Sequence, residues 1–364
     1  MALIPEYSIK INATLPKGDI NSKMEVFYNP IMISNRNISI LLLNSITNTQ
    51  MTIADPLAGS GIRSLRFLKE LKKDKLKKIL VNDIKENFNK TFQGSLKLNK
   101  ITQTDQKKIL LHSEDAALFL LNNKGCDYLD IDPFGTPNPF LSAAVATISR
   151  GGILAVTATD TAALTGTYPK VTKRKYWATS LKNYMMHETG LRILIRKVQL
   201  IGIQFDKALT PILAYHKDHY FRIYFRSEKG KEKCDELIAQ HQYFLYCPNC
   251  LSFKTSHYNK ESCQCQQEFQ CAGPLWSGNC INQKLITTMA KSNPFPEEQK
   301  FLNLLKEEST QDLVGFYDLH ELAKKLKQDP PKLEPLLKKV NGVRTHFSPT
   351  GIKSGLSASE MTFK

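Results

Sequence analysis

From Met51 onward, apolar and polar positions alternate in a regular order along the chain. Met51-Thr52-Ile53-Ala54-Asp55 reads as a short strand that ends in an acid, and after it Ile62, Leu65, Leu68 and Leu71 recur at helical spacing. Residues 78–83 repeat the pattern, an apolar strand closed by Asp83. Residues 108–111 form a third strand leading into Ser113-Glu114-Asp115-Ala116, and residues 126–132 form a fourth that ends at Asp132. Residues 142–149 read as the next helix, Gly151-Gly152 as its stop and residues 153–157 as a fifth strand. Residues 218–226 alternate and read as a strand that closes the sheet. Strands alternating with helices predict a doubly wound α/β domain. Upstream, residues 38–43 are apolar and fit either a helix or a strand.

Past residue 227 the pattern changes. Residues 227–233 are charged and polar and read as a linker, which splits the chain into residues 1–227 and 228–364. Helical spacing returns over 296–328 and again over Leu333, Leu336, Leu337 and Val340, with Pro330-Pro331 between. Residues 342–348 read as a strand or wing, so the C-terminal part is expected to be α+β and winged-helix-like. No internal repeat is evident.

Composition narrows the function. The chain has 364 residues, 50 Lys+Arg against 34 Asp+Glu and a net charge of +16, the balance of a surface that meets a polyanion. Part of the excess sits in helix-like surface runs such as residues 69–78. More pointed is residues 168–197, where Lys170, Lys173, Arg174, Lys175, Lys182, Arg192, Arg196 and Lys197 interleave with Tyr168, Tyr176, Trp177 and Tyr184. No apolar run reaches the roughly 20 residues that span a bilayer, and no secretion signal opens the chain. The expectation is an intracellular protein with no membrane contact and no obligatory protein partner. Five of the eight cysteines fall between Cys247 and Cys271, the clustering of a metal site. Cys247-Pro248-Asn249-Cys250 and Cys263-Gln264-Cys265 supply four thiolates on two tight turns, which fits a structural zinc. Cys271 is an alternative to Cys263 or Cys265, and His257 is a remote candidate. Cys126 and Cys234 read as ordinary buried thiols.

The α/β part carries candidate chemistry at its strand ends. Ala58-Gly59-Ser60-Gly61 between strand and helix lets a ligand approach the backbone, and the helix N-terminus favours a carboxylate. Ser64 replaces the third glycine of the dinucleotide fingerprint, so a cofactor without a pyrophosphate is indicated; S-adenosylmethionine has the required carboxylate. Asp83, about 22 residues past the loop, stands where an acid accepts ribose hydroxyls. Asp115 is placed to contact an adenine amine, and Asp55 belongs to the same edge. Asp132-Pro133-Phe134-Gly135 suits a planar amine: Asp132 accepts its N–H groups, proline holds the strand end extended, and Phe134 stacks on the base.

Several of these segments resemble one family as a set. They are Phe27-Tyr28-Asn29-Pro30, Asn35-Arg36-Asn37, Ala58 to Arg63, Asn82-Asp83, Asp130 to Gly135, the cysteine pairs, Ala272-Gly273-Pro274-Leu275-Trp276 and Arg344 to Ser348. Together they resemble the tRNA (guanine-26, N2)-dimethyltransferase family over nearly the whole chain. The resemblance implies a Rossmann-like class I S-adenosylmethionine methyltransferase domain followed by a zinc-binding and tRNA-binding domain. It implies methylation of a guanine amine in tRNA to monomethyl and then dimethyl product. Position by position, it implies cofactor binding by Arg36, Arg63, Asp83, Asp115 and Ala116 with Asp55, Gly59 and Gly61 at the loop. It makes Asp132 the catalytic acid, beside Pro133, with Phe27 and Phe134 holding the base. Two departures stand out. Asn37 occupies a position where Asp is common, and the second cysteine pair is separated by one residue where two are usual. An adenine-amine methyltransferase and a non-enzymatic zinc-containing nucleic-acid binder are the rival readings; Phe134-Gly135 speaks against the first, the ordered strand-end acids against the second.

Overall fold

The computed structural model describes residues 2–14, 26, 28–361 and 363. Their contacts divide into two compact units. The first takes residues 1–159, 224–229 and 291–298; the second takes 160–223, 230–290 and 299–364. These are not two consecutive segments, and the partition does not follow the 227/228 boundary. Residues 227–233 are not a free linker either, because they finish one strand and begin a helix.

The first unit opens with a hairpin, β1 (Ala2–Glu6) and β2 (Ile9–Ala13), and the helix α1 (Ile33–Ser45). The alternating layers follow: β3 (Met51–Asp55), α2 (Ile62–Glu70), β4 (Leu76–Asn82), α3 (Phe88–Leu98), α4 (Gln103–Gln106), β5 (Ile109–His112), α5 (Ala116–Asn122), β6 (Cys126–Ile131), α6 (Asn138–Thr147) and β7 (Ile148–Ala158). The strands run parallel in the order β5-β4-β3-β6-β7. Ile53, Leu80, Val81, Leu129, Ile131, Leu154 and Val156 are all buried, as expected where helices cover both faces and strands read as unbroken apolar runs. The sheet order turns around at β3 and β6, and the loops after those strands line one carboxyl edge.

One expectation fails here. Gly151-Gly152 do not stop a helix; they lie inside β7. Helix α6 ends at Thr147, whose Oγ1 donates back to the Ala143 carbonyl at 2.7 Å, and the strand starts at the next residue. The register passes from Cys126↔Ile148 to Tyr128↔Ile153, so β7 carries extra residues that bulge out, and Gly151 takes φ +76° to allow it.

The second unit contains α7 (Thr161–Leu164), α8 (Pro169–Tyr176), α9 (Met186–Ile203), β8 (Lys207–Lys217), β9 (Tyr220–Lys229) and α10 (Lys231–Ala239). The division runs through β9, whose second half belongs with the first unit; Asp218, expected in this strand, lies in the turn before it with φ +50°. Next come β10 (His241–Tyr246), β11 (Phe253–Ser256) and β12 (Gln270–Trp276), a three-stranded sheet in the order β11-β10-β12. The remainder is α11 (Gln283–Lys291), α12 (Gln299–Glu308), β13 (Tyr317–Asp318), α13 (Leu319–Leu326), α14 (Leu333–Lys339), β14 (Val343–Arg344) and β15 (Gly351–Lys353). Its small sheet β13-β15-β14 with α13 and α14 is the helices-plus-wing pattern expected of this region. Among the described residues no helix is long and apolar enough to cross a membrane.

Candidate functional sites

The glycine loop between β3 and α2 is fixed by geometry that only glycine permits. Gly61 caps α2 with φ +73°, and a Cβ there would meet the Phe92 ring at 2.3 Å. Gly59, at φ +59°, donates its N–H to Asp83 Oδ2 at 2.7 Å, so the acid that ends β4 also holds the loop. Asn82, fully buried beside it, joins three strand ends. Its amide donates to the carbonyls of Pro56 and Glu114 at 3.1 and 3.0 Å, and its Oδ1 accepts from the Glu114 N–H at 3.0 Å. Asp115 caps α5 through one oxygen, Oδ1, which accepts from Ala117 and Leu118 N–H at 2.9 and 3.0 Å. Ala116 follows it, buried. Sequence reasoning singled out Asp83 and Asp115 but gave Asn82 no role; its signal was an amide at the end of an otherwise apolar strand.

Asp132 lies one residue past the end of β6 and is joined by Arg63, the second residue of α2, in an ion pair through Oδ2. Its carboxylate therefore faces the glycine-loop side of the sheet edge. Asp132 Oδ1 has no hydrogen-bond partner among the described residues, and the side chain is 18% exposed. Arg63 also stands 3.3 Å from Asp130 Oδ2 and donates to Ser39 Oγ at 3.1 Å. Tyr128 donates its hydroxyl to Asp130 at 2.7 Å, and Ser64 donates to Asp55 at 2.7 Å. Three aspartates thus crowd around one guanidinium. Burial raises Asp55, Arg63 opposes this, and the charges of Asp130 and Asp132 reinforce it, so the carboxyl is pushed up to about 7. Asp55 is 2% exposed and turned toward Ser64 behind the loop.

After Asp132, Pro133 is buried and Phe134 is 48% exposed. The tip is tied down behind the ring. Gly135 donates to Thr159 Oγ1 at 2.7 Å and accepts from the Thr159 N–H at 2.9 Å. Phe27, the other expected aromatic, lies outside the described residues.

Arg36 is buried, not a surface residue, and Glu6 of the N-terminal hairpin aims it. Its Nε and Nη2 donate to the two Glu6 oxygens at 2.7 and 2.6 Å. Arg66 adds a bond at 2.9 Å and Tyr28 one at 3.0 Å. Burial alone would raise Glu6, but Arg36 and Arg66 outweigh it and hold the carboxyl below its ordinary range. The departure at Asn37 also has a physical reason. Its Nδ2 donates to Tyr7 Oη at 3.1 Å and to the carboxylates of Glu297 and Glu298 at 3.0 and 3.3 Å; an Asp would face two like charges.

In the second unit Cys247, Cys250, Cys263 and Cys265 bring their four Sγ atoms within 4.8 Å of one another. Four thiolates around one zinc stand roughly 3.8 Å apart, given Zn–S bonds of ~2.3 Å. The pairs Cys247/Cys265 and Cys250/Cys263, at 3.5 and 3.4 Å, already approach that spacing. Both turns are closed by the backbone: Cys247 donates to the Ser252 carbonyl at 2.8 Å, Cys263 to that of Gln267 at 2.9 Å. The donor set fits a tetrahedral zinc with no open position. Cys271 is outside the cluster, on β12, and burial pushes its thiol up to about 11, so it keeps its proton. His257 is outside as well, beside Gln242. Cys126 and Cys234 are buried thiols, as expected.

Residues 5–363 match the family model for N2,N2-dimethylguanosine tRNA methyltransferases. A tRNA (guanine(26)-N(2)/guanine(27)-N(2))-dimethyltransferase of Aquifex aeolicus is 40% identical, over 100% of this chain and 95% of its own. A tRNA (guanine(26)-N(2))-dimethyltransferase of Pyrococcus furiosus is 34% identical over 97% and 96%. Among solved structures, the complex of Trm1 from Pyrococcus horikoshii with S-adenosyl-L-methionine superposes with a TM-score of 0.87 at 30% identity, covering 99% of this chain and 98% of that one. A family model matched over residues 5–363 and relatives matched over nearly their whole length place the chain in one family. It belongs to the N2,N2-dimethylguanosine tRNA methyltransferases.

Proposed function

We propose that this protein transfers methyl groups from S-adenosylmethionine to the exocyclic N2 amine of guanine 26 in tRNA, giving N2-methylguanine and then N2,N2-dimethylguanine. The observation that carries the reading is the placement of Asp132: a strand-end carboxylate bound by Arg63 from the helix that follows the glycine loop, with one oxygen left to accept a hydrogen bond.

The amine is a weak nucleophile because its lone pair is delocalised into the ring, and stacked guanine does not present it. The base is extruded into the site, which costs a few kcal/mol of unstacking. Asp132 Oδ1 and the Pro133 carbonyl accept the two N–H bonds, which turns the lone pair toward the methyl donor. Phe134 and Phe27 hold the ring. When bound, the cofactor supplies an activated methyl on a sulfonium. Gly59, Gly61 and the α2 N-terminus take its carboxylate end together with Arg36 and Arg63, while Asp83 accepts ribose hydroxyls and Asp115 and Ala116 contact the adenine. Asp55 supports the loop from behind through Ser64. Asp132, or water beside it, removes the proton released after transfer. Most of the rate comes from positioning. Residues 1–227 act as the methyltransferase domain and 228–364 as the zinc-binding and tRNA-binding domain, with Cys247, Cys250, Cys263 and Cys265 holding the metal.

Nucleoside mass spectrometry of unmodified tRNA treated with the protein and S-adenosylmethionine tests this. N2-methylguanine followed by N2,N2-dimethylguanine, lost when guanine 26 is replaced by adenine, is expected. Residual dimethylguanine in that variant locates a second site such as guanine 27, the activity named for the Aquifex relative. Methyladenine, or no modified base, contradicts the proposal.

A further inference from the structure

The function above leaves one constellation of the second unit unused. Between Asp160 and Glu188 the sequence has no acid, and α8 occupies the middle of that stretch. The helix has one inward face. Thr172 is buried and donates to the Ala163 carbonyl, and Tyr176 is buried and donates to both oxygens of Asp160 at 2.6 and 2.7 Å. Its outward face is basic beyond the exposed Pro169: Lys170, Lys173, Arg174 and Lys175 are exposed, Lys175 standing 3.9 Å from Asp160 Oδ2, and Lys182 lies exposed just beyond. The helix ends on Trp177 in the left-handed region, φ +55°, where a bulky side chain is strained and glycine is the usual residue. Despite that strain Trp177 stays 47% exposed, and Tyr168 at the other end is 58% exposed. Behind the indole, Lys197 of α9 is 5% exposed with its ammonium 2.9 Å from the ring centroid. Arg196 donates to the Trp177 carbonyl at 3.3 Å. Neither cation pairs with a carboxylate among the described residues. Two backbone bonds of 2.7 Å between Thr179 and Gly273 pin the segment to the Ala-Gly-Pro-Leu-Trp motif of β12.

We infer that this face is an RNA-docking platform, on which the α8 cations take backbone phosphates and the Trp177 indole stacks on an unpaired base of the substrate. The inference rests on the tRNA methyltransferase reading and adds to it the surface that holds the RNA away from the reacting base. A cation behind an exposed ring, flanked by further cations, is the pairing of stacking with charge that single-stranded nucleic acid requires. The large exposed hydrophobic groups of the patch are the aromatic rings of Tyr168 and Trp177, without the aliphatic wedge by which a membrane-surface helix inserts.

The test uses the full chain and three variants: the triple Lys170→Ala, Lys173→Ala, Arg174→Ala, then Trp177→Ala and Trp177→Phe. Binding of unmodified tRNA is measured against potassium chloride concentration, along with steady-state methylation, S-adenosylmethionine affinity by calorimetry and the thermal midpoint. The triple variant is expected to raise the KM for tRNA about tenfold or more at nearly constant kcat. Its dependence of log affinity on log salt should flatten by about 1 for each phosphate that the removed cations had neutralised. Trp177→Ala is expected to weaken binding by about 5- to 150-fold with the salt slope unchanged, and Trp177→Phe to recover most of it. Cofactor affinity stays at the wild-type value throughout. A triple variant with wild-type KM and slope overturns the platform while leaving the methyltransferase reading intact. So does loss of binding to anionic vesicles without loss of tRNA binding. Wild-type protein that leaves tRNA unmethylated overturns the underlying reading instead. If Trp177→Ala lowers the thermal midpoint, the exposed triple variant decides alone.

Discussion

Each unit of this protein buries carboxylates beside basic side chains, with opposite results. Around Arg63, Asp55, Asp130 and Asp132 share one guanidinium, and Asp55 is pushed up to about 7 by burial and by its acidic neighbours. In the second unit Glu188 meets Arg192 at 3.0 Å and Lys353 at 2.8 Å, while Glu308 accepts from His346 Nδ1 at 2.6 Å and Thr345 Oγ1 at 2.7 Å. Burial raises Glu308 too, but His346 and Lys353 outweigh it and hold the carboxyl down to about 2. His346 Nε2 accepts from the His216 N–H at 3.2 Å, which places the ring proton on Nδ1, facing Glu308. The second network sets two carboxylates against Arg192, Lys353 and His346 and ties α9, α12 and β15 together, although buried Glu188 Oε2 finds no hydrogen-bond partner among the described residues. In the first, Asp130 and Asp132 add to the burial that pushes Asp55 up, the crowding of like charge expected at a functional site.

The largest effect is expected at the four-cysteine cluster of the second unit. Serine at Cys247 and Cys250 together should abolish bound zinc, measured by mass spectrometry of the metal content, and lower the thermal midpoint, since binding energy at a structural zinc is folding energy. Unchanged metal content would remove the ligand assignment. Next, Glu188→Ala strands Arg192 and Lys353 in the interior and should cost about 3–5 kcal/mol in urea unfolding. Asp55→Asn, in the crowded cluster, should change stability by less than ~1 kcal/mol, because the amide replaces a carboxyl already forced toward its neutral form. Equal losses would erase the contrast between the units.

The two acids also predict opposite pH dependence. Asp55 binds its proton more tightly folded than unfolded, so stability falls as pH rises from its ordinary value of 3.8 to about 7. Glu308 binds its proton less tightly when folded, so its contribution is complete above 4.5 and is lost as pH falls toward 2. Unfolding curves across pH should lose the first slope in Asp55→Asn and the second in Glu308→Gln. Asp115→Ala, which removes the α5 cap, should cost about 1 kcal/mol.

Much of the first unit was legible because its signals are local. A parallel strand buried on both faces is a short apolar run, a glycine at φ +73° cannot be replaced, and acids recur where those runs end. Strand β3 and the start of α2 fall where the spacing predicts them. Gly151-Gly152 misled because glycine marks a strand bulge as readily as a helix end. The polar residues 227–233 misled because the exposed tips of β9 and α10 have a linker's composition. What no local pattern reveals is pairing at a distance: Glu6 with Arg36 and Arg66, or Glu188 with Lys353, separated by 165 positions. Residues that support a site from afar carry no periodicity of their own.

The central claim is that Asp132 accepts the guanine amine and is not a cofactor ligand. The direct test is Asp132→Asn, with the methyl-transfer rate and S-adenosylmethionine affinity measured on the same preparation. A rate lower by about 10²–10⁴-fold, the range for removing a positioned base, with cofactor affinity within about twofold of wild type is expected. A near-wild-type rate, or loss of cofactor binding in proportion to rate, would contradict it.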